Sequence, residues 1–138
     1  MGKKEMMLDS VLKNNKNIKN IKEVIGAMSK VDRSSFISAK DPYIDIPLSI
    51  GYGQTISQPT TVARMLCLLD LEKGMDVLEI GSGSGWNAAL IAFLVNPGKV
   101  FSVERIKQIA GESYEEVLKN IFLFLLEKTI NKLVNGFH

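Results

Sequence analysis

Val77-Leu78-Glu79-Ile80-Gly81-Ser82-Gly83-Ser84-Gly85-Trp86 is the stretch that decides the fold. Val77 to Ile80 is a short, largely apolar run, the pattern of a strand buried on both faces of a parallel sheet. Three glycines follow at alternate positions. Trp86 to Leu94 then carries no Gly or Pro and is rich in Ala and Leu, so it reads as a helix. Strand, glycine turn and helix make a βα corner, where the backbone can approach a ligand with no Cβ in the way. The free N–H groups at the helix start face that ligand. Two phosphate motifs are excluded by spacing. G-x-G-x-x-G needs a glycine where Trp86 stands, and the P-loop needs G-K-[ST].

Further along, Asn96-Pro97-Gly98 reads as a turn and Lys99 to Val103 as a second strand ending in Glu104. A carboxylate at that tip can accept hydrogen bonds from both hydroxyls of a ribose. A glycine corner with an acidic tip and no pyrophosphate motif points to an adenosine-containing ligand, and S-adenosylmethionine fits that description. Glu79, Gly81, Ser82, Gly83, Ser84, Gly85 and Glu104 are the candidate cofactor residues. A glycine-rich βα turn with no ligand remains the alternative for the same residues.

Composition bounds the rest. The chain has 138 residues, 46% hydrophobic and 23% charged, enough for one globular domain. A net charge of +2 gives no argument for nucleic acid. The single cysteine, Cys67, excludes an internal disulfide and makes a reducing, cytoplasmic setting the default expectation. The first residues lack the apolar run of a signal peptide, and apolar runs such as Ile121 to Leu126 are too short to span a membrane. No metal-ligand cluster is present in the sequence, and the one histidine is His138.

Before the glycine corner, residues 1–17 are polar and rich in Lys and Asn, which predicts a loose terminus. Ile21, Val24, Ile25 and Met28 recur at helical spacing, so Ile18 to Lys30 reads as an amphipathic helix. Val31 to Ser38 is a turn anchored by Phe36 and Ile37. Asp41 to Pro59 is punctuated by Pro42, Pro47, Gly51, Gly53 and Pro59 and reads as a long structured loop, a kind of segment that is often functional. Pro59 suits a first helical turn, with Ser57 as a candidate N-cap. Val62, Met65, Leu66 and Leu69 then form an apolar stripe, with Cys67 just outside it as packing. Ile106 to Lys119 reads as a helix weakened by Gly111.

Two segments together carry a resemblance. Asp45-Ile46-Pro47-Leu48-Ser49-Ile50-Gly51-Tyr52-Gly53-Gln54-Thr55-Ile56-Ser57-Gln58-Pro59, followed by the glycine segment, resembles the protein-L-isoaspartate O-methyltransferase family. Gly53-Gln54-Thr55-Ile56-Ser57-Gln58-Pro59 is specific to that family, and the glycine segment is shared by most Rossmann-like methyltransferases. The resemblance runs from about Ile18 to about Leu118. It implies an α/β chain with a partial Rossmann-like S-adenosylmethionine-dependent methyltransferase fold, N-terminal helices followed by the first two parallel strands with their helices. It also implies methyl transfer from S-adenosyl-L-methionine to the α-carboxyl of L-isoaspartyl residues in damaged proteins and peptides. The ester then closes to a succinimide that partly reopens as aspartate, which is protein repair. By position, Ser57 matches the active-site serine, Gln54, Thr55 and Ile56 the substrate loop, Gly81, Gly83 and Gly85 the cofactor loop, and Glu104 the ribose-binding acid. Ser49 stands where the family usually has proline.

The chemistry agrees with the resemblance. A carboxylate is ionised at neutral pH, so its attack on a sulfonium methyl needs no strong general base. Catalysis is then mainly the in-line positioning of oxygen, methyl and sulfur. The hydroxyl of Ser57 could orient acceptor or cofactor, or simply cap the helix, and the sequence leaves both open.

After Lys119 the chain changes character. Ile121-Phe122-Leu123-Phe124-Leu125-Leu126 and then Ile130, Leu133, Val134 and Phe137 show no later strand–helix units, and the family's aspartate wall against the adenine has no match. The expected organisation is a single, truncated methyltransferase domain over 1–138. It comprises a helical and substrate-loop region (18–75), a cofactor-binding βαβα unit (76–118) and a divergent tail (119–138), the last through truncation or a change of frame. The alternative to an enzyme is an inactive relative serving as an interaction fragment. Self-association through the exposed edge of the glycine strand is expected in either case.

Overall fold

The computed structural model describes residues 1–119. Three helices open the chain: α1 (Lys3–Asn15), α2 (Ile21–Lys30) and, after a hairpin, α3 (Pro59–Leu68). The hairpin joins β1 (Leu48–Gly51) to β2 (Gln54–Ile56). A βαβ unit follows, made of β3 (Val77–Ile80), α4 (Trp86–Val95) and β4 (Val100–Val103). Residues 107–119 form a further helix, α5. The expected tail, from residue 120 on, lies outside the described residues. Among those described, no helix is long and apolar enough to cross a membrane.

The N-terminus departs from the loose segment expected. Met7 and Val11 lie one helical turn apart and are buried, with Asn15 one turn further on. That stripe packs α1 onto α2 and α3. Asn15 is a satisfied polar core residue: its Nδ2 donates to the carbonyls of Val11 (3.0 Å) and Thr60 (3.3 Å), and its Oδ1 accepts from Arg64 Nε (3.1 Å). Lysines and asparagines outnumber the apolar positions in this segment, which hides a two-turn stripe from a composition reading.

Helix α2 buries Ile21, Val24, Ala27 and Met28. On α3 the buried face comprises Val62, Ala63, Leu66 and Cys67, whereas Met65 and Leu69 are exposed. The expected stripe is thus rotated, and Cys67 lies within it. The helix ends at Leu68, and Gly74 turns the chain toward β3 with φ 92°.

Strands β3 and β4 pair in parallel, with Val77 opposite Val100, Glu79 opposite Ser102 and Ile80 opposite Val103. Their connecting helix, α4, buries Trp86, Ala88, Ala89, Leu90, Ile91 and Val95, and it packs against α2 and β4. An apolar helix of this kind belongs between layers. The other face of β3 is not buried as expected: Leu78 is 63% and Ile80 77% exposed, and Phe101 and Val103 on β4 are exposed too. Among the described residues this sheet has two strands and a layer of helix on one face.

The segment expected as a loop contains the β1–β2 hairpin. Leu48 pairs with Ile56 and Ser49 with Thr55, and an irregularity then brings Gly51 opposite Gln54. Tyr52 and Gly53, at the turn, both have positive φ (55° and 69°), as a type I′ turn requires. Strands of four and three residues next to two glycines leave too little alternation to read from sequence.

Candidate functional site

All three glycines of the corner have positive φ, 89° at Gly81, 52° at Gly83 and 88° at Gly85. Side chains are disfavoured there, but the three positions differ in surroundings. A Cβ on Gly81 would meet nothing within 4 Å, whereas one on Gly83 would come 4.0 Å from Ile50 Cδ1 of the hairpin. A Cβ on Gly85 would stand 3.0 Å from the carbonyl oxygen of Ser113 and 3.0 Å from Val117 Cγ2. Gly85 therefore lets α5 approach α4, while Gly81 faces open space. The serines between them bond within the protein. Ser82 Oγ lies 3.0 Å from Ser113 Oγ, and Ser84 Oγ accepts from Trp86 N at 3.2 Å.

Glu104 closes on this corner. Its carboxylate accepts from the backbone N–H of Ile106 (3.0 Å) and of Gly83 (3.1 Å). These bonds hold its pKa below the usual carboxylate value, so the group stays ionised. Glu79 has a different setting. It is buried, and it accepts from Ser102 Oγ (2.5 Å) and Asn87 Nδ2 (2.7 Å). Burial raises its pKa, while the bonds from Ser102 and Asn87 pull the other way and the charge of Glu104 adds to the rise. Glu79 thus ties β3 to β4 and α4 beneath the glycine loop.

A cleft of about 550 Å³ brings the two predicted segments together. Gln54 and Thr55 of the hairpin line it with Gly81, Gly83 and Glu104. Ile80, Val103 and Ile106 add apolar wall, and Arg105 adds a cation. Ile56 is buried in the core and anchors the hairpin. Ser57 is exposed and is not among the residues lining the cleft. A larger cavity of about 660 Å³ between α4, β4 and α5 is mostly apolar; it shares Glu104 with the cleft but no residue of the hairpin.

Ser57 does not cap α3. The N-cap position is Gln58, and the capping bonds come from Asp45. Its carboxylate accepts from Thr60 N (2.8 Å) and Thr60 Oγ1 (2.5 Å). Proline at the first helical position has no N–H to cap, so the next donor is Thr60, and Asp45 reaches it from across the loop.

Arg33 was invisible to the sequence reading, yet it is completely buried. Its guanidinium donates to the carbonyls of Pro42 (2.8 Å), Ser57 (2.8 Å) and Ile46 (3.4 Å). It also lies 4.7 Å from the centroid of the Trp86 ring. Burial lowers its pKa to about 10, against the opposing charge of Asp45. Trp86 Nε1 in turn donates to the Val31 carbonyl at 3.1 Å. The carbonyls that Arg33 holds lie 9 to 24 positions away in the chain, so no local pattern marks it. Asp45 is hidden likewise, its partner Thr60 being 15 positions on.

Comparison with known proteins places this geometry. A family model described as Protein-L-isoaspartate(D-aspartate) O-methyltransferase (PCMT) matches residues 2–124, beyond both ends of the resemblance read from sequence. A protein-L-isoaspartate O-methyltransferase of Fervidobacterium nodosum is 45% identical over 100 residues, 70% of this chain and 50% of that protein. One of Methanothrix thermoacetophila is 52% identical over 90 residues, 62% of this chain and 43% of that protein. The chain thus spans about half the length of these curated relatives. A solved structure superposes with a TM-score of 0.72 at 29% identity, covering 87% of this chain and 57% of that one. It is a putative protein-L-isoaspartate O-methyltransferase from Plasmodium falciparum, in complex with S-adenosyl-L-homocysteine. By the match over residues 2–124 and the shared fold, this chain belongs to the protein-L-isoaspartate O-methyltransferase family.

Proposed function

We propose that this chain methylates the α-carboxylate of L-isoaspartyl residues in damaged proteins and peptides, using S-adenosyl-L-methionine. The observation that carries the proposal is the single cleft shared by Gln54 and Thr55 of the hairpin and by Gly81, Gly83 and Glu104 of the glycine corner. The cofactor's sulfonium supplies an electrophilic methyl, so that a C–O bond forms to the substrate carboxylate as the C–S bond breaks. The residues present fit such a group. Glu104 is an ionised acceptor for ribose hydroxyls, pinned by two backbone donors. Gly81 leaves open the space a side chain would take. Glu79 supports the loop from below, and Ser82, Ser84 and Gly85 give it shape. The hairpin presents the substrate carboxylate from the opposite wall, through Gln54 and Thr55, with Ile56 as its anchor. Ser57 stands at the exposed end of the hairpin as the orienting hydroxyl, its backbone held by Arg33.

The names of the relatives weigh against an inactive interaction fragment. The proposal includes a cytoplasmic setting, in keeping with the free, buried Cys67. It also includes self-association through the edge of the β3–β4 sheet, beside which Leu78 and Phe101 are exposed. The test is transfer of a labelled methyl group to paired peptides that differ only in carrying an isoaspartyl or an aspartyl residue. Base-labile label on the isoaspartyl peptide alone, suppressed by S-adenosylhomocysteine, is expected. Equal labelling of both peptides, or of neither, would overturn the proposal.

A further inference from the structure

Ile109, Ser113 and Val117 recur at four-residue spacing on one face of α5. Ile109 is buried and Val117 packs against the core cluster, so this face is apolar on either side of Ser113. Ser113 is itself only 4% exposed. Serine is a weak choice for the interior of a helix, and alanine would fill the same place without burying a polar group. A hydroxyl kept there needs partners. Ser113 Oγ donates to the Ala110 carbonyl of its own helix at 3.2 Å and lies 3.0 Å from Ser82 Oγ of the glycine corner. A serine has one hydroxyl proton. With that of Ser113 committed to Ala110, the bond between the two serines runs from Ser82 to Ser113.

That bond sets which way the glycine loop faces. Ser82 lines the apolar cavity beside α5, whereas its neighbours Gly81 and Gly83 line the cleft. Gly83 is held by its N–H on Glu104 (3.1 Å), and Ser84 Oγ is held by the N–H of Trp86 (3.2 Å). Ser113 supplies the matching hold on Ser82, and its carbonyl oxygen stands 3.0 Å from where a Cβ of Gly85 would lie. We propose that Ser113 is a positioning residue for the cofactor, fixing through Ser82 the backbone between Gly81 and Gly83 in the shape that receives S-adenosyl-L-methionine. This rests on the function proposed above and adds to it a residue outside the two segments, 45–59 and 77–86, that carry the resemblance. A loop ordered before its ligand arrives lowers the conformational cost of binding, so cofactor affinity responds to this bond.

The experiment is a calorimetric titration of S-adenosylhomocysteine into the parent, Ser82→Ala, Ser113→Ala and the double variant, with thermal melts of all four. Ser113→Ala should melt close to the parent, because the better helix propensity of alanine offsets the lost bond. It should bind S-adenosylhomocysteine about three- to tenfold more weakly. Ser82→Ala should lose a similar factor, and the double variant should be no weaker than either single one, since each substitution removes the same bond. Parental affinity in Ser113→Ala would overturn the inference, as would losses that multiply in the double variant, and either result leaves the proposed function standing. Should Ser113→Ala melt too low to titrate, parental affinity in Ser82→Ala would overturn it equally. A parent that does not bind S-adenosylhomocysteine would overturn the inference together with the proposed function.

Discussion

The guanidinium of Arg33 lies 4.7 Å from the centre of the Trp86 ring and at the same time donates to the Ser57 carbonyl at 2.8 Å. Trp86 is the first residue of α4, directly after the glycine corner, and Ser57 ends the hairpin segment. One buried cation thus ties the two halves of the cleft together. Within 6 Å of a ring such a cation is attracted by the face of the indole, and more strongly once desolvated. Among the described residues no carboxylate is bonded to Arg33, so its three carbonyl bonds and the ring, with the more distant charge of Asp45, offset the cost of its burial.

Arg33→Ala should destabilise the chain by about 3 kcal/mol or more, because it takes the donor from the carbonyls of Pro42, Ser57 and Ile46 and leaves a cavity under Trp86. Arg33→Lys should recover only part of this, since an ammonium cannot reach several carbonyls with a fixed fork. Urea unfolding followed by Trp86 fluorescence checks both. A loss below about 1 kcal/mol for the alanine variant would show that the buried network matters little.

The cap of α3 gives a second test. Asp45→Ala should cost about 0.5–2 kcal/mol, the usual worth of an N-terminal cap. Ser57→Ala should stay within about 0.5 kcal/mol of the parent, as for an exposed residue outside the cap. If Ser57 orients the reacting groups, its alanine variant should nonetheless lose methyl transfer to an isoaspartyl peptide. The reverse order of stabilities in urea would return the cap to Ser57.

Gly81 and Gly85 should separate binding from folding. Gly85→Ala places a Cβ 3.0 Å from Ser113 O and Val117 Cγ2, on top of an unfavourable φ. It should therefore lower the melting temperature more than Gly81→Ala, whose Cβ meets no protein atom within 4 Å. Gly81→Ala should instead weaken S-adenosylhomocysteine in calorimetric titration, since its methyl group occupies the cleft. A Gly81→Ala variant with parental affinity would remove that residue from the cofactor wall.

Two carboxylates should give opposite pH dependence. Partial burial pushes the pKa of Asp32 up, but bonds from Ser34 N, Tyr43 Oη, Ser34 Oγ and Lys4 outweigh it and bring the value from 3.8 to about 2. The folded state then binds fewer protons than the unfolded one between about pH 4 and pH 2. Stability from Asp32 is present above that window and lost as the pH falls through it, and Asp32→Asn should flatten this loss. The pKa of Glu79 is raised by burial, so its contribution is present below the unfolded value and fades as pH rises through the folded one. Glu79→Gln should remove that decline, because an amide can still accept from Asn87 and can donate to Ser102 Oγ. Urea midpoints measured from pH 2 to pH 7 on the parent and both variants check the two signs.

The sequence by itself determined the elements whose signals are local. The run Val77–Ile80, the alternate glycines and the Ala- and Leu-rich stretch after Trp86 set strand, turn and helix through propensity and the need for positive φ, and the structure has all three. Gly53 to Pro59 marked the family by residue identity alone. Tertiary structure decided what depends on partners far along the chain. Helix α1 exists because Met7 and Val11 find α2 and α3 to pack on. The β1–β2 hairpin has too few residues for its alternation to be read, and its pairing fixes it. Asp45 caps a helix 15 positions away, and Arg33 gathers carbonyls up to 24 positions away. The placement of Gln54 and Thr55 beside Gly81, Gly83 and Glu104 is of the same kind. A pattern along the chain records which residues can form a helix or a turn. Only burial, by forcing each polar group to find a partner, selects which distant residues meet.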